Sequence, residues 1–153
     1  MAKIKNYLKR IEPSELNRKV GNRDTRILAT DPKKVVFSLK YFIDTQPKND
    51  KQSYSSWEKD GRLSQLLEIL QEICNCSVIS AIQQGFLKRY DSFPLSKNTH
   101  FKCPPNFKDR EWWVINKISG QKARVAGVMV GNVFYIVFFD KEHKFWISKL
   151  KNT

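Results

Sequence analysis

The stretch KARVAGVMVGNVFYIVFFDKEHKFW, residues 122–146, decides the fold of this chain. Gly131 and Asn132 both accept positive φ angles, so they suit the two-residue turn of a β-hairpin. After them, residues 133–139 are apolar without alternation, which is typical of a central strand covered on both faces. The stretch therefore predicts two antiparallel strands in the middle of a sheet, followed by a charged and aromatic ending.

Further elements are predicted on the N-terminal side of this hairpin. EWWVINKI, residues 111–118, reads as a strand, and residues 35–42 alternate as a second strand. RLSQLLEILQEICNCSVISAIQQG, residues 62–85, has the apolar spacing of a helix, and capping residues at 75–77 allow a second helix to begin there. Residues 44–61 and 88–110 are predicted to be irregular connections. This order predicts an α+β fold, with a small, mostly antiparallel sheet and helices packed on one face.

A basic segment precedes this domain. Residues 1–34 hold ten Lys or Arg and four Asp or Glu, and Ile4, Tyr7, Leu8 and Ile11 have helical spacing. We therefore predict a basic helical N-terminal arm at 1–34 and a single domain at 35–153. The arm's candidate nucleic-acid contacts are Lys9, Arg10, Arg18, Lys19, Arg23 and Arg26.

The charge of the whole chain indicates a polyanionic partner. Lys and Arg number 28 against 15 Asp and Glu, which gives a net charge of +13. Such a balance in a small domain is typical of nucleic-acid-binding proteins. A membrane surface fits less well, because the basic residues are spread along the chain and do not form one basic helix with an apolar face. We expect RNA or another nucleic acid as partner and no membrane.

Other classes find little support in the sequence. No apolar run reaches the ~20 residues of a membrane span, and the first residues lack the pattern of a signal peptide. We therefore expect a cytoplasmic protein. Cys74, Cys76 and Cys103 do not have zinc-ligand spacing, and no glycine-rich phosphate loop is present. We expect no metal and no cofactor.

The residues of the hairpin and its ending are similar to the C-terminal half of RelE/YoeB-like toxins. The likeness covers about residues 35–146, although no tyrosine follows His143 here. The sequence is also similar to small prophage and mobile-element proteins with a W…LL..L helix and an R-x-x-G…F-x-I-V-x-x-D-x-x-H ending. The toxin resemblance implies a metal-independent endoribonuclease that cleaves mRNA, on the ribosome or off it. It also implies an acidic antitoxin as partner.

Metal-free RNA cleavage requires a base, a cation at the phosphate and an acid. His143 is the candidate acid or base, because its ordinary pKa lies near neutral pH. Arg124 is the candidate phosphate clamp, and Glu142 or Glu111 is a candidate second proton-transfer group. The remaining candidates for RNA contact are Lys122, Lys141, Lys144, Trp146 and Trp113.

Hairpin register predicts that some of these residues meet. Lys122 and Arg124 have the same parity on their strand, so we expect both side chains on one face. A turn at Gly131 and Asn132 places residues 121–124 near 139–142, beside the strand end that leads into His143.

Simpler readings and other functions remain open at this point. His143 also fits a solvated loop, and Arg124 also fits an ion pair with Glu111 or Asp140. The protein also fits a non-catalytic nucleic-acid-binding subunit of a mobile-element or defence complex. A third reading is an adaptor whose basic surface meets an acidic protein.

Overall fold

The computed structural model describes residues 34–118, 120 and 122–148. Within these residues the chain forms five strands and three α-helices, which confirms the predicted α+β class. In chain order they are β1 (Val36–Ser38), α1 (Tyr54–Lys59), α2 (Arg62–Cys74), α3 (Val78–Gln83), β2 (Leu87–Tyr90), β3 (Trp112–Ile115), β4 (Arg124–Val130) and β5 (Val133–Asp140). Short 3₁₀ turns lie at Ser96–Asn98 and Pro105–Phe107.

The five strands form one sheet in the order β1-β5-β4-β3-β2. β2, β3, β4 and β5 pair in antiparallel fashion, whereas β1 runs parallel to β5. The prediction of a mostly antiparallel sheet is therefore confirmed. Because consecutive antiparallel strands alternate in direction, the start of β2, the end of β3, the start of β4 and the end of β5 lie at the same end of the sheet.

The hairpin of β4 and β5 has the predicted turn. Val130 pairs with Val133, and Gly131 adopts a φ of 61°. The register then shifts between Ala126 and Gly127, so that Arg124 lies opposite Asp140. An undistorted ladder from this turn would place Arg124 opposite residue 139, so the irregularity moves the strand ends by one residue.

Both faces of the sheet are covered, but by different kinds of structure. On one face the helices contribute Trp57, Leu66 and Ile73 to a core with Phe139 of β5. On the other face, the connection between β2 and β3 and the segment after β5 contribute side chains that pack on Trp112 and Phe138; these are Phe101, Phe107 and Phe145. Burial on both sides explains why residues 133–139 lack alternation, and it confirms the central position predicted for this strand.

Three element predictions need correction. The region 88–110 was predicted to be irregular, yet its first three residues belong to the edge strand Leu87–Tyr90, which pairs with β3. Residues 44–61 were also predicted to be loop-like, but they contain α1, which begins with a capping box between Ser53 and Ser56. β1 is shorter than the predicted strand at 35–42, because the chain turns where Phe42 N–H donates to Leu39 O at 3.1 Å.

The predicted basic arm at 1–34 lies outside the described residues, apart from Lys34. Its candidate contacts, Lys9, Arg10, Arg18, Lys19, Arg23 and Arg26, lie there too and remain predictions. In the part of the chain that the structure describes, no helix has the length and apolar character needed to cross a bilayer.

Candidate functional site

An open cavity of about 350 Å³ lies at the end of the sheet where β2 and β4 start. It is lined by Lys88, Tyr90, Asn116, Arg124, His143, Trp146 and Ser148. Lys88 lies near the start of β2, Asn116 follows β3, Arg124 begins β4 and His143 follows β5. The antiparallel pairing of four strands therefore brings these residues together. We call this cavity the cationic pocket.

The pKa of His143 is lowered in the cationic pocket. Partial burial is the largest cause that lowers its pKa below the ordinary value, and the positive charges of Arg124 and Lys88 lower it further. Asp140 acts in the opposite direction and is outweighed. A lowered pKa keeps the imidazole neutral at neutral pH, and a neutral imidazole can accept a proton.

The turn that carries His143 is held by Asp140, whose side chain is only 2% exposed. Its Oδ1 accepts the N–H of Lys144 at 2.8 Å, and its Oδ2 accepts the N–H of Phe145 at 2.8 Å. Burial raises the pKa of the Asp140 carboxyl, while these backbone hydrogen bonds oppose the rise. Asp140 is thus committed to the turn and is not a solvent-facing acid.

His143 itself has a φ of 59°, which lies in the left-handed region. This conformation is uncommon for residues other than glycine, and it costs of order 1 kcal/mol or more. The backbone is therefore strained at His143, whose side chain lines the cationic pocket.

Arg124 is available to an anion. Its Nη1 donates to the carbonyl of Ala123 at 2.9 Å. Among the described residues it makes no ion pair with a carboxylate, so the predicted alternative of a pair with Glu111 or Asp140 is not observed. Four further N–H donors of the guanidinium are left for a ligand.

Two stacked aromatic rings form one wall of the pocket. The Tyr90 and Trp146 rings have centroids 4.1 Å apart and an interplanar angle of 15°. Lys88 Nζ lies 5.0 Å from the centroid of the Tyr90 ring, which places the ammonium beside the stack. The predicted residue Trp146 is therefore next to Arg124 and His143, with an aromatic surface at the same opening.

Other predicted residues lie outside the pocket. Glu142 forms an ion pair with Lys122 at 3.8 Å, and neither residue lines the cavity. Glu111, the other candidate proton-transfer group, is exposed just before β3 and also does not line it. Lys141 donates to Asp60 Oδ2 at 3.1 Å, at the end of α1. These side chains contribute charge near the site, but they do not face the same space as His143.

Lys144 and Trp113 also lie outside the cationic pocket. Lys144 lines a different groove, together with His100 and the turn at Pro47 to Asp50. Trp113, a predicted stacking residue, is only 5% exposed and packs in the core beneath the helices. Trp112 is buried as well, so neither of the adjacent tryptophans offers a ring face to a nucleobase.

Sequence reasoning did not identify Lys88, Tyr90 or Asn116. Lys88 and Tyr90 belong to the edge strand that was predicted to be irregular, because only Leu87 in that strand is fully buried. Asn116 directly follows the apolar run of β3, and polar residues at strand ends are the signal that would have identified it. What brings these residues to His143 is non-local strand pairing, which no local pattern reveals.

Comparison of the chain with protein-family models, with curated proteins and with solved structures finds no match. Within the described residues, no group of three or more His, Cys, Asp or Glu side chains could hold a metal ion.

Proposed function

We propose that this protein binds single-stranded RNA in the cationic pocket and cleaves it without a metal ion, in the manner of RelE/YoeB-like ribonuclease toxins. The observation that supports this proposal is the meeting of His143, Arg124 and Lys88 at one open cavity. A phosphate diester needs cationic donors on its oxygens, and the cleavage reaction needs a neutral base beside them.

In the proposed binding mode, the RNA phosphate lies between Arg124 and Lys88. The planar guanidinium can donate to two phosphate oxygens at once, and the ammonium adds a point charge. Lys122, Lys141, Lys144 and the basic residues of the arm contribute a positive field that attracts RNA. An acidic antitoxin and the anionic RNA of the ribosome would be attracted by the same field.

In the proposed reaction, His143 accepts the proton of the 2′-hydroxyl as the 2′-oxygen attacks phosphorus. A new O2′–P bond forms while the P–O5′ bond breaks, which yields a 2′,3′-cyclic phosphate and a 5′-hydroxyl end. Arg124 stabilises the charge that grows on the phosphoryl oxygens. The Lys88 ammonium is the proposed proton donor to the leaving 5′-oxygen, in the role that the sequence had suggested for Glu142 or Glu111.

Incubation of the purified chain with RNA in excess EDTA tests this proposal. We expect cleavage, and we expect His143→Asn to lower its rate by about 10²-fold to 10⁴-fold. Asn is the chosen replacement because it tolerates the left-handed backbone at this position. Arg124→Gln should lower the rate by about 10²-fold or more.

The second histidine provides a matched control. His100 lines the other groove, so His100→Asn should leave the rate close to that of the parent chain. Cleavage that disappears in EDTA, or that persists unchanged in both His143→Asn and Arg124→Gln, would contradict the proposal. In cells, the same two variants should no longer inhibit growth although they remain folded.

A non-catalytic nucleic-acid-binding protein is the second candidate, as part of a mobile-element or defence complex. It is favoured by one observation, namely that the carboxylates of Glu142 and Glu111 lie outside the pocket. RNA would then be bound but left intact in EDTA. Its affinity would fall with salt, with a slope near −0.7 for each phosphate contacted on a single strand.

A further inference from the structure

The cationic pocket is lined by two chemically different sets of side chains. Lys88, Arg124 and His143 suit phosphate, whereas Asn116, Ser148 and Trp146 are uncharged. The amide N–H groups of Asn116 can donate to phosphate oxygens, but its carbonyl oxygen needs a donor that phosphate oxygens do not have. The uncharged side chains therefore also suit another portion of a nucleotide.

Asn116 is held in place by its backbone and not by its side chain. Its N–H donates to the carbonyl of Phe86 at 2.8 Å, just beyond the β2–β3 ladder. Ile115 pairs with Val125, so the next residue in each strand brings Asn116 beside Arg124. Among the described residues, the carboxamide of Asn116 makes no hydrogen bond. A fixed backbone therefore presents an unused donor and acceptor next to the phosphate-binding side chains.

The stacked rings of Tyr90 and Trp146 line the same pocket as Asn116. Trp146 is supported from one side by the parallel ring of Tyr90. Stacking of a nucleobase on such a ring contributes without regard to base identity. The adjacent carboxamide can pair with the edge of the stacked base, and the characteristic pair of hydrogen bonds of Asn is the one it forms with N6 and N7 of adenine.

We infer that the cationic pocket holds an adenine base of the bound strand, stacked on Trp146 and recognised by the carboxamide of Asn116. This inference rests on the proposed function, because it assumes that the neighbouring cations hold the nucleic-acid phosphate. The cavity volume of about 350 Å³ lies at the lower end of the range for small-ligand pockets, which suits one nucleotide. Asn116 is thus a specificity-determining residue.

Binding of 2′-deoxy oligonucleotides tests the inference without interference from cleavage, because these strands lack the attacking hydroxyl. Oligo(dA), oligo(dC) and oligo(dT) of equal length are titrated against the whole chain at one salt concentration. We expect oligo(dA) to bind about fivefold to a hundredfold more tightly than the others. Asn116→Ala should remove this preference while binding to oligo(dC) stays nearly unchanged.

Two further variants distinguish loss of the adenine preference from a loss of affinity for every strand. Asn75 is exposed at the end of α2, so Asn75→Ala should retain the adenine preference. Arg124→Gln should weaken binding to all three strands by similar factors and reduce the salt slope by about one phosphate.

The outcomes distinguish this inference from the proposed function. Binding that is equally tight for all three strands, or an adenine preference that survives in Asn116→Ala, would overturn base recognition alone. An equal loss of affinity for every strand in Asn116→Ala would also overturn it, since that is the effect of a lost phosphate contact. Failure of the parent chain to bind any of these strands, together with failure to bind or cleave RNA in EDTA, would overturn both.

Discussion

Asp140 accepts the backbone N–H of Phe145 through Oδ2 at 2.8 Å, and this hydrogen bond closes the turn that presents His143. The carboxylate is buried, and it lies opposite Arg124 in the β4–β5 ladder without forming an ion pair with it. Asp140 is therefore a positioning residue. Its hydrogen bonds orient residues 141–144, which follow the end of the sheet. The next residue, Phe145, is buried in the core on the face opposite the helices.

Removal of this carboxylate should destabilise the fold. In Asp140→Ala the N–H groups of Lys144 and Phe145 lose their acceptors, and an unsatisfied buried donor costs about 1–3 kcal/mol. We expect the free energy of unfolding in urea to fall by about 2–6 kcal/mol for the two groups together. The exposed Asp109 offers a control, because Asp109→Ala should change stability by less than about 0.5 kcal/mol. Equal effects of the two substitutions would show that Asp140 does not hold the turn.

The acidity of His143 should depend on Arg124. Burial, Arg124 and Lys88 all lower the pKa of His143, so NMR titration of its ring protons should give a value below about 6.5. Arg124→Gln removes one of these causes and should raise that pKa. Arg110, which is exposed and does not line the pocket, serves as the control in Arg110→Gln. An unchanged His143 titration in Arg124→Gln would mean that the two side chains do not interact.

The lowered pKa of His143 also determines how the free energy of unfolding depends on pH. Because the folded chain binds the His143 proton less readily than the unfolded chain, this residue contributes stability above the unfolded pKa of about 6.5. That contribution is lost as the pH falls from this value through the lower pKa of the folded chain. His143→Asn should therefore show a smaller loss of unfolding free energy between about pH 7 and pH 5 than the parent chain does. A parallel pH dependence in the two proteins would contradict the lowered pKa.

Backbone strain at His143 gives a prediction that does not depend on activity. With a φ of 59°, the position favours glycine over any residue that carries a Cβ. His143→Gly should be more stable than His143→Ala by about 1 kcal/mol in urea unfolding. If the two variants are equally stable, the turn does not impose this conformation.

Gly127 should tolerate no side chain. A Cβ at this position would lie 2.1 Å from the carbonyl oxygen of Tyr135, which is backbone of the neighbouring strand. Gly127→Ala should lower the free energy of unfolding by about 1–3 kcal/mol, as overpacking does. At Gly131 a Cβ would meet nothing within 4 Å, and Asn accepts its positive φ. Gly131→Asn should therefore be close to neutral, and a similar loss in both variants would argue against close approach at Gly127.

Local patterns in the sequence were sufficient for the hairpin and for the helices at 62–85. The turn at Gly131, the apolar run of β5 and the apolar face of α2 depend on residues close together in the chain. β2 could not be identified in this way, because Lys88 and Arg89 are exposed on an edge strand and leave no alternation to detect. The parallel pairing of β1 with β5 joins residues almost 100 positions apart, which local periodicity does not encode.

For the candidate site, hairpin register predicted one neighbour of His143 correctly. The alternation of side chains along a strand did not predict which residues face the cationic pocket. Register brought Arg124 near the segment of His143, as the structure shows, although the irregularity at Gly127 shifts the pairing by one residue. Beyond Asp140 the chain turns, so side chains no longer alternate between two faces. Lys141 therefore reaches Asp60, Glu142 reaches Lys122 and Lys144 lines another groove, although the sequence grouped all three with His143.

The position of β5 between β1 and β4 has a consequence for synthesis. The ribosome produces β1 about 100 residues before its only sheet neighbour among the described strands, so β1 has no strand to pair with until residues 133–140 have left the exit tunnel. A nascent chain that stops before β5 lacks the strand to which both β1 and β4 are hydrogen-bonded. Non-local pairing of this kind slows folding and leaves apolar strand surface open to aggregation. Completion of the sheet is thus tied to residues 133–140, and the turn with His143 follows them directly.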